Sequence, residues 1–426
     1  MYLKFAVNAL DLLYIPIGIL TAPLWLRKKR DGWDQRFGHV ESMLNCHAVD
    51  AEHGSRRKRI MLHSVSVGEV NALRSLVPML VEQADVVVSV TTDSGLKHAQ
   101  SLFGEMEHCS VVRYPLDCSW MVKRFLDVVE PDLVALVELE VWPNFIKGCV
   151  QRGIPIGIIN GRLSARSFKG YRKIRFLLRG TFFKLSFACV QDQDYSQRIE
   201  SMGVPKDRVA IMGSMKWDAV DASVRTEPSS KAIEIATAMG IDLEKRIVVA
   251  GSTGPGEESL LDHEIPRDVQ LVIAPRKTDR FVEAGDAVQG CVRRSNGDRR
   301  DGATRFVLDT IGELSAVYEL ADVVIIGRSF FDLYGSDPVE PAAMGKAVLI
   351  GPAHSDFQQA MGALIEADAI QVVDRQQVGA AVAELFVDSE RRTAMGERAR
   401  ACVLGQQGAS TRHRDVLFEH VGIKNK

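Results

Sequence analysis

The stretch RIMLHSVSVGEVNALR, residues 59–74, decides the fold. Its first seven residues form a near-continuous apolar run of strand length. Gly68 then marks a corner, and a helical pattern runs over 69–83. A fully buried strand that turns straight into a helix opens a βαβ unit, with a parallel sheet covered on both faces. Such corners usually hold anions, because helix N-terminal N–H groups attract them. Here a carboxylate, Glu69, stands just past the glycine. It is either a helix-start residue in a favourable dipole, which would keep it ionised, or a group that does chemistry.

The alternation continues along the chain. DVVVSVT (85–91), DLVALVE (132–138), IPIGIIN (154–160), SFACV (186–190) and RVAIMG (208–213) read as strands separated by amphipathic segments such as 117–129. A polar stretch with Pro228, DASVRTEPSS (221–230), reads as a linker or surface loop. The rhythm restarts with RIVVAG (246–251), QLVIAP (270–275), RFVLD (305–309), DVVIIG (322–327) and AVLIG (347–351). The expectation is an α/β protein of two doubly wound, Rossmann-like domains, residues 31–213 and 214–426. The last helix is a candidate to cross back. Two such domains facing each other would bind a ligand between the C-terminal ends of their strands.

The 426 residues suffice for two domains, and a net charge of -2 argues against a general nucleic-acid binder. Seven scattered cysteines without a C-x-x-C pair point to reduced thiols. The N-terminus differs from the rest. FAVNALDLLYIPIGILTAPLWL, residues 5–26, carries one charge, Asp11, and RKKR follows at 27–30. Its length suits a bilayer-crossing helix, and the basic cluster marks the cytoplasmic side. Asp11, Pro16 and Pro23 also suit a half-inserted helix, and a buried hydrophobic helix is the third reading. We expect residues 1–30 to form a membrane anchor.

Several strand ends carry chemistry-bearing residues. AGSTGPGEE (250–258) is a Gly-rich turn where Ser252 and Thr253 could meet a phosphate or simply make the turn. It lacks the G-K-[ST] ending of a Walker loop. Arg276 and Lys277 end the next strand, and Lys216 in GSMKWD lies near the domain junction; together they favour an anion site. In GRSFFDLYGSDPVEPAAMG (327–345), Ser336 or Asp337 caps a helix and Glu340 lies in its first turn. Glu340 is either dipole-matched or a ribose ligand, since carboxylates bind sugar diols. In the first half, ELEVWPN (138–144) places Glu138 and Glu140 at a strand end. GRLSARSFKGYRKIRFLLRGTFFK (161–184) has eight Lys or Arg and no acid. That composition suits a membrane surface or a phosphorylated lipid. No metal-binding pattern is visible, and His63 reads as a core or strand-end histidine.

In order, LHSVSVGEV, YPLD, ELEVWPN, INGRLSARSFKGY, GSMKWD, GSTGPGEE, DTIGEL and EPAAMGKAVLIGP resemble the bacterial 3-deoxy-D-manno-octulosonic acid (Kdo) transferases of lipid A assembly. The resemblance covers nearly the whole chain. It implies the GT-B architecture and inverting transfer of Kdo from CMP-Kdo to a lipid A precursor. It also implies no metal at the transfer site, no cofactor, and work at the cytoplasmic side of the inner membrane. It implies that Glu69 is the base and Glu138 a second acid on the acceptor side. Lys216, Ser252, Thr253, Arg276 and Lys277 would surround the donor phosphate and the Kdo carboxylate. Gly327 would let the nucleotide approach the backbone, Ser336 and Asp337 would line its site, and Glu340 would hold the ribose. Arg162, Arg166, Lys169 and Arg172 would face the acceptor.

The chain departs from the family pattern on the donor half. G-G-H-N-P-L-E becomes YGSDPVE, with Ser336 and Asp337 for His and Asn. P-R-H becomes PRK with Lys277, G-G-S becomes GRS with Arg328, and Asp356 replaces an Asn. Asp337 adds negative charge while Lys277 and Arg328 add positive, so we read the changes as mutually compensating. The alternatives are a GT-B transferase for another nucleotide sugar and a catalytically silent membrane-bound scaffold.

Overall fold

The computed structural model describes residues 11–12, 32–41, 44, 56–220 and 227–424. The described chain divides into two compact units. One holds the residues up to Ala219 together with those from Gln407 onward; the other is Val220–Gln406.

The first unit contains β1 (Arg59–Ser64), β2 (Asp85–Val90), β3 (Cys109–Arg113), β4 (Leu133–Val137), β5 (Ile156–Gly161), β6 (Phe187–Val190) and β7 (Val209–Ile211). They form a parallel sheet of order β3-β2-β1-β4-β5-β6-β7. β1 through β6 are buried along their whole length, as the unbroken apolar runs require. Leu73, Leu76 and Phe103 cover one face; Phe125, Phe145 and Phe182 cover the other. The chain builds outward from β1 to β3, then returns to lay β4 against β1, with Leu62 opposite Ala135. The loops after β1 and β4 therefore leave in opposite directions. Ligands bind at such a switch point in open α/β sheets.

The C-terminal helix, Ala409–Val421, belongs to this first unit. Leu417 and Phe418 enter the core face of Leu73 and Leu76. His413 is buried; its Nε2 accepts from the Asn160 N–H at 2.9 Å and its Nδ1 donates to the Ala409 carbonyl at 2.7 Å. Burial lowers its pKa to about 4, so the ring stays neutral and keeps an acceptor. Residues 214–219 are also seated here rather than in the second unit. The Met215 N–H donates to Asn160 Oδ1 at 3.1 Å, and Asp218 accepts from the Gly408 and Ser410 N–H groups. The division thus falls after Ala219, six residues past the expected boundary at 213.

The second unit contains β8 (Ile247–Thr253), β9 (Gln270–Pro275), β10 (Val292–Arg293), β11 (Arg305–Val307), β12 (Val323–Ile326), β13 (Ala347–Ile350) and β14 (Ile370–Val372). Their parallel order is β10-β11-β9-β8-β12-β13-β14. Here the switch point lies between β8 and β12, which pair with Ala250 opposite Ile325.

The expected anchor, residues 5–26, lies outside the described residues except at Asp11 and Leu12. No described helix is long and apolar enough to cross a membrane. Asp11 is buried against the first unit. Its Oδ1 accepts from the Ser119 N–H at 2.9 Å and from Asn144 Nδ2 at 3.2 Å, and its Oδ2 accepts from Ser119 Oγ at 2.6 Å. The one charge of the apolar segment is thus met by protein donors, as a buried carboxylate requires.

Candidate active site

At the switch point of the first unit, Glu69 opens the helix Val67–Ala72. Ser66 is the N-cap, and its Oγ accepts from the Glu69 N–H at 3.4 Å. In return Glu69 Oε1 accepts from Ser66 Oγ at 2.8 Å and Oε2 from the Val65 N–H at 2.7 Å. This is a capping box in S-x-x-E spacing. The helix-start role is therefore real. The expected ionising effect of the dipole is outweighed, however: burial raises the Glu69 pKa, Glu138 adds to the rise, and the Val65 and Ser66 bonds and Lys216 offset part of it. A base held closer to neutrality is a better proton acceptor at working pH.

The loop after β4 supplies two more carboxylates. Glu138 takes a left-handed backbone, φ 59°, unusual for a non-glycine residue and common at functional strand ends. Its Oε1 lies 3.3 Å from Lys216 Nζ. Lys216, expected beside the donor phosphate, is thus found on the first unit, paired with a carboxylate. Glu140 Oε2 accepts from Trp142 Nε1 at 3.0 Å. Its pKa is raised to about 7 by burial first, then by Glu69 and Glu138. Three carboxylates and one lysine therefore share this corner. Carboxylates gathered in one buried corner beside a lysine are the usual makings of acid–base sites.

The basic segment adjoins this cluster. Tyr171, on the helix Ala165–Lys173, feels the charge of Glu140. Phe168 and Tyr171 pack toward the core, while Arg162, Arg166, Lys169 and Arg172 are exposed. The next helix, Arg175–Phe182, exposes Phe176 by 78% and Leu177 by 66%, and Phe183 beyond it by 59%.

In the second unit, Ser252 sits in a bulge at the end of β8 with φ 58°, and Arg328 follows β12 with φ 60°. Thr253 is buried, and its hydroxyl donates to Glu258 Oε1 at 2.8 Å. Ser336 Oγ lies 3.4 Å from the Ser252 carbonyl as donor. Gly327 is required by packing, since a Cβ there would come within 2.6 Å of the Ser252 carbonyl oxygen. Gly251 is required by Tyr318, whose hydroxyl would lie 1.8 Å from a Cβ. Tyr318 itself is buried and titrates above its usual range, through burial and then Glu340 and Asp337, with Arg276 opposing. Those three charged residues therefore act electrostatically on one buried hydroxyl. Nothing local in the sequence marks this relation, because Tyr318 occupies an ordinary helix position.

The departures from the family pattern have local roles. Arg328 Nη2 donates to the Leu333 carbonyl at 2.8 Å, and Asp337 Oδ1 accepts from the Val339 N–H at 3.0 Å at the start of the helix Val339–Ala343. Lys277 and Asp356 are exposed.

Residues 31–219 match the model of a family described as 3-deoxy-D-manno-octulosonic-acid transferase (kdotransferase). The chain is 29% identical to the 3-deoxy-D-manno-octulosonic acid transferase of Haemophilus influenzae, over 84% of this chain and 86% of that one. It is also 29% identical to the enzyme of the same name from Bordetella pertussis, over 85% and 87%. Among solved structures it is similar in fold to Anabaena HepE in complex with UDP, with a TM-score of 0.57, 13% identity and coverage of 86% and 100%. UDP-GlcNAc 2-epimerase from Neisseria meningitidis gives a TM-score of 0.57, 14% identity and coverage of 85% and 100%. The two seven-stranded parallel α/β units are thus similar to GT-B glycosyltransferases, and the chain is similar to Kdo transferases over most of its length.

Proposed function

We propose that the chain transfers Kdo from CMP-Kdo to a lipid A precursor, with inversion, in the assembly of the lipopolysaccharide core. The observation that carries the mechanism is the meeting of Glu69, Glu138, Glu140 and Lys216 at one switch point. Glu69 takes the proton of the acceptor hydroxyl. That oxygen forms a bond to the anomeric carbon of Kdo, the bond from this carbon to the phosphate oxygen breaks, and CMP leaves with the electron pair. Glu138 fixes Lys216 beside the base, where its positive charge offsets the developing anion. The second unit supplies the donor site, with Arg276 opposing phosphate charge and Glu340 and Ser336 addressing the nucleoside. Purified protein is expected to yield a Kdo-bearing product from CMP-Kdo and a lipid A precursor, read by mass spectrometry, with CMP but not UDP raising its melting temperature. Absence of product where a Haemophilus influenzae control is active would sink the reading.

The acceptor is a membrane lipid, and the exposed basic and aromatic surface of residues 162–183 suits the cytoplasmic face of the inner membrane. Cationic side chains bind anionic headgroups while aromatic and aliphatic ones enter the interface. Phe176→Ser with Leu177→Ser is expected to reduce sedimentation with anionic vesicles at least tenfold, with turnover on a water-soluble acceptor unchanged. Undiminished vesicle binding would remove this surface from the membrane.

A further inference from the structure

The helix Glu257–Glu264 begins with two adjacent buried acids whose partners are all inside the protein. Glu257 Oε2 accepts from the N–H groups of Gly254 at 2.8 Å and Arg328 at 2.5 Å. Its Oε1 accepts from those of Ser329 at 2.8 Å and Phe330 at 3.0 Å. Three successive amides after β12 thus converge on one carboxylate, in the manner of an anion-binding nest. Burial pushes the Glu257 pKa up and the four amides pull it back. Because all four partners are donors, a proton on the carboxyl would face an N–H; the geometry is that of the anion. Glu258 secures the other side of the turn, accepting from Thr253 Oγ1 at 2.8 Å and from both Arg280 terminal nitrogens at 2.8 and 3.0 Å.

Two consequences follow. The nest is filled by the chain's own carboxylate, so its amides do not serve a phosphate. Those bonds also tie the turn after β8 to the loop after β12, across the switch point. The same turn receives the Gly327 N–H at Gly251 O (2.8 Å), the Arg276 N–H at Thr253 O (3.0 Å) and Ser336 Oγ at Ser252 O (3.4 Å). It also holds Arg328 in its left-handed conformation, which a non-glycine residue adopts only when its surroundings enforce it.

We propose that Glu257 is a positioning residue for donor binding: an internal anion that sets the loop Gly327–Ser336 against the turn bearing Ser252 and Arg276. This rests on the assignment of the donor site to the second unit. The test uses the full chain with Glu257→Gln and Glu257→Asp, steady-state kinetics in both substrates, and amide hydrogen exchange. Glu257→Gln is expected to raise KM for CMP-Kdo at least tenfold, to leave KM for the acceptor within twofold, and to speed exchange at Arg328–Phe330 at least tenfold. The shorter acid in Glu257→Asp is expected to fall between. Added formate, but not formamide, is expected to lower the donor KM of Glu257→Ala. A donor KM within twofold of wild type in Glu257→Gln overturns the proposal, as does a fall in kcat with both KM values unchanged. If the Gln variant does not fold, the Asp variant decides by the same donor-to-acceptor comparison. Wild-type inactivity with CMP-Kdo would instead overturn the function proposed above, so the two failures are distinct.

Discussion

Glu69→Gln is expected to fold normally and to lose about 10²–10⁴-fold in kcat, the range that general-base catalysis contributes. The separation of folding from chemistry comes from the capping box. Gln serves as well as Glu at the third helical position of that motif, so its Oε1 keeps the contact with the Val65 N–H or Ser66 Oγ. What it cannot do is accept the acceptor's proton. The melting temperature and the affinity for CMP should stay at wild-type values, because Arg276, Ser336 and Glu340, proposed to bind the donor, belong to the second unit. Calorimetric CMP titration alongside single-turnover rates would check both halves. Turnover within threefold of wild type would remove Glu69 as the base.

Glu140→Gln is expected to change both stability and the pH profile. The folded carboxyl has a pKa of about 7 against an ordinary 4.5. Between those values the folded protein holds a proton that the unfolded chain has released. Stability therefore falls as pH rises through this window, by on the order of 2–3 kcal/mol for a shift of this size. Gln removes that penalty while still accepting from Trp142 Nε1. The variant should match wild type near pH 4.5 and exceed it by roughly 2–3 kcal/mol at pH 8, measured by urea unfolding. The charge of Glu69 is one cause of the rise at Glu140, so Gln should also remove any inflection near pH 7 from kcat/KM. Equal urea midpoints at pH 8, or an inflection near pH 7 that persists in the variant, would show that Glu140 does not titrate in the field of Glu69. The buried histidines act in the opposite sense. Burial lowers His63 to about 3 and His413 to about 4, so their neutral forms stabilise the protein above about pH 6.5 and that stability is lost on acidification.

Most of the strands are legible because they are buried on both faces and therefore written as an unbroken apolar run; β3, β10 and β14 are not among the runs read as strands. RIMLHSV (59–65) and DVVVSVT (85–91) begin where β1 and β2 begin, and each runs one residue past the strand. Acids and bases at strand ends were legible for a related reason: they interrupt that pattern where a ligand would sit. Glu69, Glu138 and Lys216 stood out in this way. The family resemblance places Lys216 at the donor phosphate, yet its partner is Glu138, 78 residues earlier in the chain. Glu257 was visible in GSTGPGEE, but two acids after a Gly-rich turn look like ordinary dipole-matched residues. Only the folded chain shows the four amides that surround the first of them.

By itself the sequence determined most of the alternation of strands and helices, the division into two α/β blocks and the resemblance to Kdo transferases, since hydrophobic period and motif order are local. The tertiary structure decided which distant residues share a field. Strand order brings β1 beside β4 and β8 beside β12, and that crossover alone joins Glu69 to Glu138 and Glu140, and Glu257 to the loop after β12. It also decided the state of Glu69. A dipole acts along one helix and can be read from position, whereas desolvation depends on everything packed around the carboxyl, and at this corner desolvation is the larger effect.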